Sequence, residues 1–127
     1  MTVPLQLDGT SLTVADVLAV ADGRRAVALA PEARDRMAAT RGIVEGLAAR
    51  GEAVYGVTTG FGKLSDIAIP ADQLAQLQVN LIRSHAAGVG PRLPRREVRA
   101  MMLLRANCLA KGFSGARPAL VDLLCAM

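Results

Sequence analysis

Aromatic residues are nearly absent from this 127-residue chain, which has no tryptophan, one tyrosine and two phenylalanines. Hydrophobic residues nevertheless make up 52% of it, so its core has to be built from alanine, leucine, valine, isoleucine and methionine. Aliphatic side chains of this kind favour close-packed helices over a β-sandwich. A chain of this length can bury one hydrophobic core. The composition therefore predicts a mainly α-helical protein, with residues 1–127 forming a single segment.

Histidine and cysteine are equally scarce, since His85 is the only histidine and Cys108 and Cys125 are the only cysteines. Two thiols without paired spacing indicate neither a disulfide framework nor a metal site. The N-terminus shows no basic stretch followed by an apolar core, the pattern of a signal peptide. No apolar run approaches the roughly 20 residues of a membrane helix. The expected setting is the cytoplasm, without a membrane partner.

The formal net charge is +4 and the pI is about 9.8. Much of the positive excess is scattered arginine, but residues 91–99 form one arginine-rich stretch. That stretch could contact nucleic-acid phosphates. However, Pro91 and Pro94 flank it, Glu97 interrupts it, and no aromatic residue is interleaved for base stacking. We interpret it as the solvated start of a helix and expect no nucleic-acid partner. The arginines concerned are Arg92, Arg95, Arg96 and Arg99.

Periodicity, caps and breakers divide the chain into helices joined by short extended segments. Residues 3–7 alternate polar and apolar side chains, as a strand does, and Thr13 can cap a short helix over residues 14–21. Residues 26–30 form a short apolar run before Pro31 and are predicted to be extended. Four longer helices are predicted: from Pro31 to Gly51, from Pro70 to about Gly88 with Leu74, Leu77 and Leu81 as a buried stripe, from Pro94 to about Lys111, and from near Ser114 to the end.

Residues 98–110 are apolar almost all round, a pattern typical of a helix that is covered on every side. Arg105 and Asn107 lie within this stretch. A buried arginine has to be paired and hydrogen-bonded, so one interpretation is an ion pair inside the core. The alternative is that both residues brace the wall of an active site or a subunit contact.

Residues 54–62, Val-Tyr-Gly-Val-Thr-Thr-Gly-Phe-Gly, hold the only tyrosine. Gly56, Gly60 and Gly62 release the backbone from ordinary φ limits and predict a shaped loop, which the two threonines can hold by local hydrogen bonds. Tyr55 could perform acid–base chemistry there if its pKa were lowered. The alternative on spacing alone is a tyrosine that packs and caps a turn.

The neighbouring Gly60-Phe61-Gly62-Lys63 is not a phosphate-binding loop. That motif requires a glycine where Val57 stands and a serine or threonine where Leu64 stands. His85 is also a weak signal by itself, because a lone histidine near the end of a helix is well accommodated by the helix dipole.

Three stretches together carry a resemblance to a known family. They are residues 55–62; residues 80–90, Asn-Leu-Ile-Arg-Ser-His-Ala-Ala-Gly-Val-Gly; and residues 103–117, which run from Leu103 to Arg117 through Asn107. In this order they resemble the N-terminal part of the aromatic amino acid ammonia-lyases, over about residues 5–124. The resemblance implies the mainly helical, fumarase/aspartase-like fold of that family.

The resemblance also implies a reaction. Members of the family use a methylidene-imidazolone ring (MIO), formed autocatalytically from an internal Ala-Ser-Gly, as the electrophile. Tyr55 corresponds by motif to the tyrosine that removes the β-proton, and His85 to the position that faces the substrate side chain. The residues around His85 are most similar to the histidine-specific members, so the expected reaction converts L-histidine to trans-urocanate and ammonia in a homotetramer.

The sequence departs from the family at one point, because no Ala-Ser-Gly occurs in its 127 residues. We therefore expect an N-terminal segment that ends before the MIO precursor and is inactive alone. Two alternatives stay open. One is a segment of a tyrosine or other aromatic amino acid ammonia-lyase or aminomutase, and the other is a non-enzymatic helical module that interacts through its basic helix start.

Overall fold

The computed structural model describes residues 3–127, apart from the side chain of Leu64. The elements in chain order are strand β1 (Leu5–Leu7), helix α1 (Val14–Ala21), strand β2 (Val27–Leu29), helix α2 (Pro31–Arg50), helix α3 (Leu74–His85), helix α4 (Arg95–Ala110) and helix α5 (Pro118–Ala126). Two 3₁₀ turns, Gly62–Leu64 and Ala71–Gln73, precede α3. The predicted mainly helical class is confirmed.

The described chain forms two compact units. The first consists of residues 3–42 and 92–127, and the second of residues 43–91. In the part of the chain that is described, no helix is long and apolar enough to cross a membrane.

The first unit is built around a two-stranded parallel sheet. Leu5 of β1 aligns with Val27 of β2, and Leu7 aligns with Leu29. Parallel neighbours need a crossover connection, and here α1 supplies it. Its start is fixed by a reciprocal cap: the Thr13 hydroxyl accepts from the Asp16 amide at 3.2 Å, and the Asp16 carboxylate accepts from the Thr13 amide at 3.1 Å. The predictions for both extended segments and for α1 are confirmed.

The core of the first unit is aliphatic, as the composition requires. Its buried side chains come from every regular element of this unit and are Leu5, Leu7, Val20, Leu29, Ala30, Ala33, Met37, Leu103, Ala106, Ala110 and Val121. The chain at the end of α4 passes close to α2. Gly112 shows how tight this packing is, because a Cβ placed there would lie 2.9 Å from Cβ of Arg36.

Helix α4, whose apolar pattern is typical of a helix covered on every side, is covered on only one side within this chain. Leu103, Ala106 and Ala110 are buried, whereas Met101 and Leu104 are 59% and 52% exposed. The three buried residues fall on one helical face. Helices α1 and α5 and strand β1 contact α4, and they leave its opposite face open.

The interpretation of Arg105 as part of an ion pair inside the core does not hold in this chain, because Arg105 lies on the open face of α4 and is exposed. Asn107 has a structural partner instead: its Oδ1 accepts the amide of Gly9 at 3.1 Å. Gly9 follows β1 and has φ +89°. Asn107 therefore fastens the turn after β1 to α4.

Two further differences concern helix ends and burial. Helix α5 begins at Pro118 and not near Ser114, because Gly115 has φ +66° and interrupts the helical backbone, while proline suits the first helical position.

The stripe of Leu74, Leu77 and Leu81 on α3 is half-buried, and no residue of that helix is fully buried. The other predicted helix ends agree with the structure to within a few residues.

The arginine-rich start of α4 is a solvated helix start, as interpreted. Arg96 Nε donates to Asp22 at 2.6 Å, and Asp22 also accepts from Arg24 at 2.8 Å. The hydrogen bond from Arg96, followed by that from Arg24, lowers the pKa of the Asp22 carboxyl. These contacts connect the end of α1 to the start of α4.

Candidate functional site

The candidate site lies in the second unit, on the loop of residues 54–62, which we call the tyrosine loop. Thr58 anchors it and is only 4% exposed. Its hydroxyl accepts from the Val54 amide at 2.8 Å and donates to the Glu52 carbonyl. Its backbone carbonyl accepts from the Ile69 amide at 2.9 Å. One threonine therefore ties both ends of the loop region together.

Thr59 continues this anchoring. It is 2% exposed and forms an isolated antiparallel bridge with Ala68. The next amide, that of Gly60, donates to the Ile67 carbonyl at 3.1 Å. The chain that leaves the tyrosine loop is thereby hydrogen-bonded back across it. A loop closed in this way has fewer backbone conformations than an open one, which favours a fixed position for its side chains.

Tyr55 stands at the corner of a tight turn. The Val57 amide donates to the Val54 carbonyl at 3.0 Å, and Gly56 between them has φ +75°. Positive φ at the third residue is what a type II turn requires, so glycine is needed there. Gly62 also has positive φ, at +56°, where the 3₁₀ turn begins, whereas Gly60 does not.

The Tyr55 side chain is 67% exposed. Its ring meets the ring of Phe61 edge to face, with centroids 6.4 Å apart and planes at 71°. This is a favoured aromatic arrangement. In the described chain the phenolic hydroxyl has no hydrogen-bond partner. The structure therefore presents a phenol that is supported from one side and open to a reactant.

His85 is the last residue of α3, and its ring is exposed. Nδ1 lies 2.9 Å from the Leu81 carbonyl and 2.9 Å from the Ser84 hydroxyl. The Ser84 hydroxyl itself donates to the Leu81 carbonyl at 2.9 Å, so its proton is already used. We therefore assign the proton of the neutral ring to Nδ1, which leaves Nε2 as a free acceptor.

Tyr55 and His85 belong to the same unit, but the ring contact of Tyr55 and the hydrogen bonds of the His85 ring are all local. Tyr55 contacts Phe61, and His85 contacts Leu81 and Ser84. No hydrogen bond joins the two side chains within residues 3–127. No three histidine, cysteine, aspartate or glutamate side chains of the described residues lie close enough together to hold a metal ion.

The sequence did not predict two of the side-chain contacts in the structure. By sequence, Phe61 is only part of the glycine-rich motif, although an aromatic residue six positions after Tyr55 on a closed loop is close enough to contact its ring. The acceptor role of Asn107 had no local signal, because its partner Gly9 lies 98 residues away in sequence.

The chain is similar to known proteins over almost its whole length. The family model described as aromatic amino acid lyase matches residues 12–127. A histidine ammonia-lyase of Anaeromyxobacter sp. (strain K) is 54% identical over 123 residues, which cover 97% of this chain and 24% of that protein. A histidine ammonia-lyase of Streptomyces avermitilis is 53% identical over 111 residues, or 87% of this chain and 22% of that protein.

Solved structures show the same relationship. Tyrosine aminomutase from Streptomyces globisporus superimposes with a TM-score of 0.90 at 40% identity, over 98% of this chain and 24% of that one. Histidine ammonia-lyase from Trypanosoma cruzi superimposes with a TM-score of 0.86 at 37% identity, over 96% of this chain and 23% of that one. The chain thus spans about a quarter of the length of the proteins it matches. Since the family model covers residues 12–127 and the fold agrees throughout, this chain belongs to the aromatic amino acid lyase family.

Proposed function

We propose that this chain acts as part of a histidine ammonia-lyase, which eliminates ammonia from L-histidine to give trans-urocanate. Several relatives bear that name at 48–54% identity. Because the chain spans only about a quarter of their length, the activity is assigned to a longer polypeptide of which these residues form a part. That polypeptide is proposed to be a cytoplasmic homotetramer.

We assign Tyr55 as the general base. The observation that supports this assignment is the exposed position of its phenol on an anchored loop. The reaction removes a proton from the β-carbon of the amino acid. A base for this step has to reach the substrate without rearranging the backbone. The anchors at Thr58 and Thr59 hold the tyrosine loop, and the exposed phenol of Tyr55 lies against Phe61 at its corner.

The electrophile is not supplied by these residues. In this family an MIO ring activates the substrate amine as a leaving group. Its precursor Ala-Ser-Gly does not occur in the sequence, so we assign no step through that group to this chain. A base that acts alone stabilises only a small part of the transition state. The 127-residue chain is therefore expected to be inactive by itself.

His85 is proposed to recognise the substrate ring through a hydrogen bond. With its proton on Nδ1, it offers Nε2 as an acceptor, which suits the N–H of an imidazole. A phenyl ring would leave Nε2 without a partner. The phenol of tyrosine could also donate to it, so this residue discriminates against phenylalanine more strongly than against tyrosine.

A tyrosine-specific enzyme is the second candidate. The observation that favours it is the superposition on a tyrosine aminomutase, with a TM-score of 0.90 and 40% identity. The two candidates share the same base and differ in the substrate ring and in the product. An assay that follows both products therefore distinguishes them.

A chimera tests the proposal. The matching segment of the Anaeromyxobacter sp. (strain K) enzyme, 123 aligned residues, is replaced by the corresponding residues of this chain. We expect the chimera to form urocanate from L-histidine and the isolated chain to form none above the buffer blank. A soluble chimera of the parent's size that makes no urocanate would contradict the proposal, and one that converts L-tyrosine instead would favour the second candidate.

A further inference from the structure

A cleft in the first unit has no role in the proposed function. It has a volume of about 260 Å³ and lies between α1, the start of β2, α4 and α5. Its apolar walls include Val20, Leu103, Ala106 and Leu124. Pockets for drug-sized ligands span about 300–1,000 Å³, so this cleft suits a smaller molecule.

Two arginines line the same cleft, and only one of them is paired with a carboxylate. Arg25 Nη1 donates to Asp16 at 2.6 Å, so its charge is balanced within the protein. Arg99 has no ion-pair partner among residues 3–127. Its guanidinium lies beside Gly23, where an added Cβ would be 3.4 Å from Nη1. The half-buried Arg99 therefore leaves one positive charge at the edge of a cleft whose walls are partly apolar.

We propose that this cleft binds a small apolar carboxylate, with the aliphatic part between α1, α4 and α5 and the carboxylate on Arg99. The planar guanidinium can donate two parallel hydrogen bonds to such a group. The apolar walls stabilise the aliphatic part by removing it from water. The ligand needs both parts, because the cleft offers apolar side chains for an aliphatic chain and Arg99 for a carboxylate.

Cys125 provides a reporter inside the cleft. It lines the cavity and is half-buried. Burial, with a smaller effect of Asp122, raises the pKa of its thiol, so labelling is performed at mildly alkaline pH. Cys108 lies on the exposed side of α4 and outside the cleft. The two thiols are the only cysteines of the chain and serve as site and internal control.

The experiment measures labelling of both thiols by a small uncharged maleimide, with each modified peptide quantified by mass spectrometry. Hexanoate is the probe, acetate carries the charge without the chain, and hexan-1-ol carries the chain without the charge. We expect hexanoate to slow labelling of Cys125 and to leave Cys108 unchanged, while acetate and hexan-1-ol protect neither thiol at the same concentration. Equal protection of both thiols, or equal protection by hexan-1-ol, would overturn the proposal.

Two matched variants test the role of Arg99. Arg99→Gln removes the unpaired charge, and Arg95→Gln removes an exposed charge from the same helix outside the cleft. A lost charge-assisted hydrogen bond corresponds to about tenfold or more in affinity. We expect the hexanoate concentration for half-protection to rise about tenfold in Arg99→Gln and to stay unchanged in Arg95→Gln. Thermal unfolding of each variant verifies that it is folded, and unchanged protection in a folded Arg99→Gln would overturn the proposal.

Discussion

Arg34 and Asp122 form a two-pronged ion pair between α2 and α5. Nη2 of Arg34 donates to Oδ1 of Asp122 at 2.6 Å, and Nη1 donates to Oδ2 at 3.0 Å. The fork geometry of this pair holds the start of α2 against α5. The residues lie 88 positions apart in sequence, so the pair forms only when the first unit is folded.

The first prediction concerns pH. The hydrogen bond from Arg34 lowers the pKa of the Asp122 carboxyl, so the folded pKa is below the unfolded value of about 3.9. Such a carboxylate stabilises the fold above its unfolded pKa, and the contribution is lost as pH falls through the folded pKa. Asp122→Asn should therefore lower Tm modestly at pH 7 and cease to differ from the parent at strongly acidic pH.

A double-mutant cycle with Arg34→Met measures the pair itself. We expect a coupling between the two positions at pH 7, because each single variant leaves the other partner without its hydrogen bonds. Additive effects of the two substitutions at neutral pH would show that the pair contributes nothing to stability.

The second prediction concerns Gly112, which has φ +81° and no room for a side chain. A Cβ there would lie 2.9 Å from Cβ and 3.2 Å from the carbonyl carbon of Arg36. Gly112→Ala should cost about 1–2 kcal/mol for the left-handed backbone and about 1–3 kcal/mol more for overlap in a packed region. Gly23→Ala is the matched control, since φ is +73° and the nearest atoms belong to the end of the Arg99 side chain. Equal losses of unfolding free energy in urea would disprove the close approach.

The third prediction concerns Asn107, the acceptor for the Gly9 amide. Asn107→Leu keeps the approximate shape of the side chain but leaves that part-buried amide without a partner, which costs about 1–3 kcal/mol. Asn107→Asp retains an acceptor oxygen and should recover most of the loss. Urea unfolding of the three proteins measures this, and equal stabilities of the leucine and aspartate variants would mean that the hydrogen bond is not responsible.

The fourth prediction separates the chemistry of Tyr55 from the shape of its loop, in the chimera described above. Tyr55→Phe removes only the hydroxyl and should lower kcat by about 10²–10⁴ with little change in KM or Tm. Thr58→Val removes the two hydroxyl hydrogen bonds that anchor the loop and should lower Tm as well. If kcat of Tyr55→Phe stays within a few-fold of the parent chimera, Tyr55 is not the base.

The fifth prediction concerns substrate choice. In the chimera, His85→Phe should lower kcat/KM for L-histidine and raise it for L-phenylalanine, because Nε2 no longer needs a donor. Once bound substrate shields Nε2 from water, leaving it unpaired costs about 1–3 kcal/mol, which corresponds to roughly tenfold to a hundredfold in discrimination. Ser84→Ala is the control, since the bond of His85 to the Leu81 carbonyl remains. An unchanged ranking of L-histidine, L-tyrosine and L-phenylalanine in His85→Phe would remove the support for histidine as the substrate.

Local signals predicted most element boundaries correctly. The cap at Thr13, the prolines at the starts of α2 and α4, and the glycines after these helices act within a few residues of their positions, so their effect can be predicted from the sequence. The shape of the tyrosine loop was predictable for the same reason, because Gly56 supplies the positive φ of its turn and the Thr58 hydroxyl bonds to Glu52 and Val54, a few residues away. The start of α5 was predicted near Ser114, which was wrong because the positive φ of Gly115 is incompatible with a continuous helix there.

Burial could not be predicted in the same way. The apolar pattern of α4 shows that many of its residues tolerate burial, but which of them are buried depends on the elements that pack against it. With α1, α5 and β1 on one side, Leu103 is buried while Arg105 is exposed. The same limit applies to Asn107, whose partner is distant in sequence.

The sequence by itself determined the helical class, the family resemblance and the presence of a tyrosine on a shaped loop, because these depend on residue types and short spacings. Only the tertiary structure decided that the Tyr55 phenol is exposed against Phe61, that His85 has Nε2 free, and that Arg99 stands unpaired at a partly apolar cleft. The first two properties depend on how side chains a few residues apart are oriented on a loop and at a helix end, which residue types alone do not determine. The third depends on the packing of α1, β2, α4 and α5, which are distant in sequence, and no local pattern in the chain encodes it.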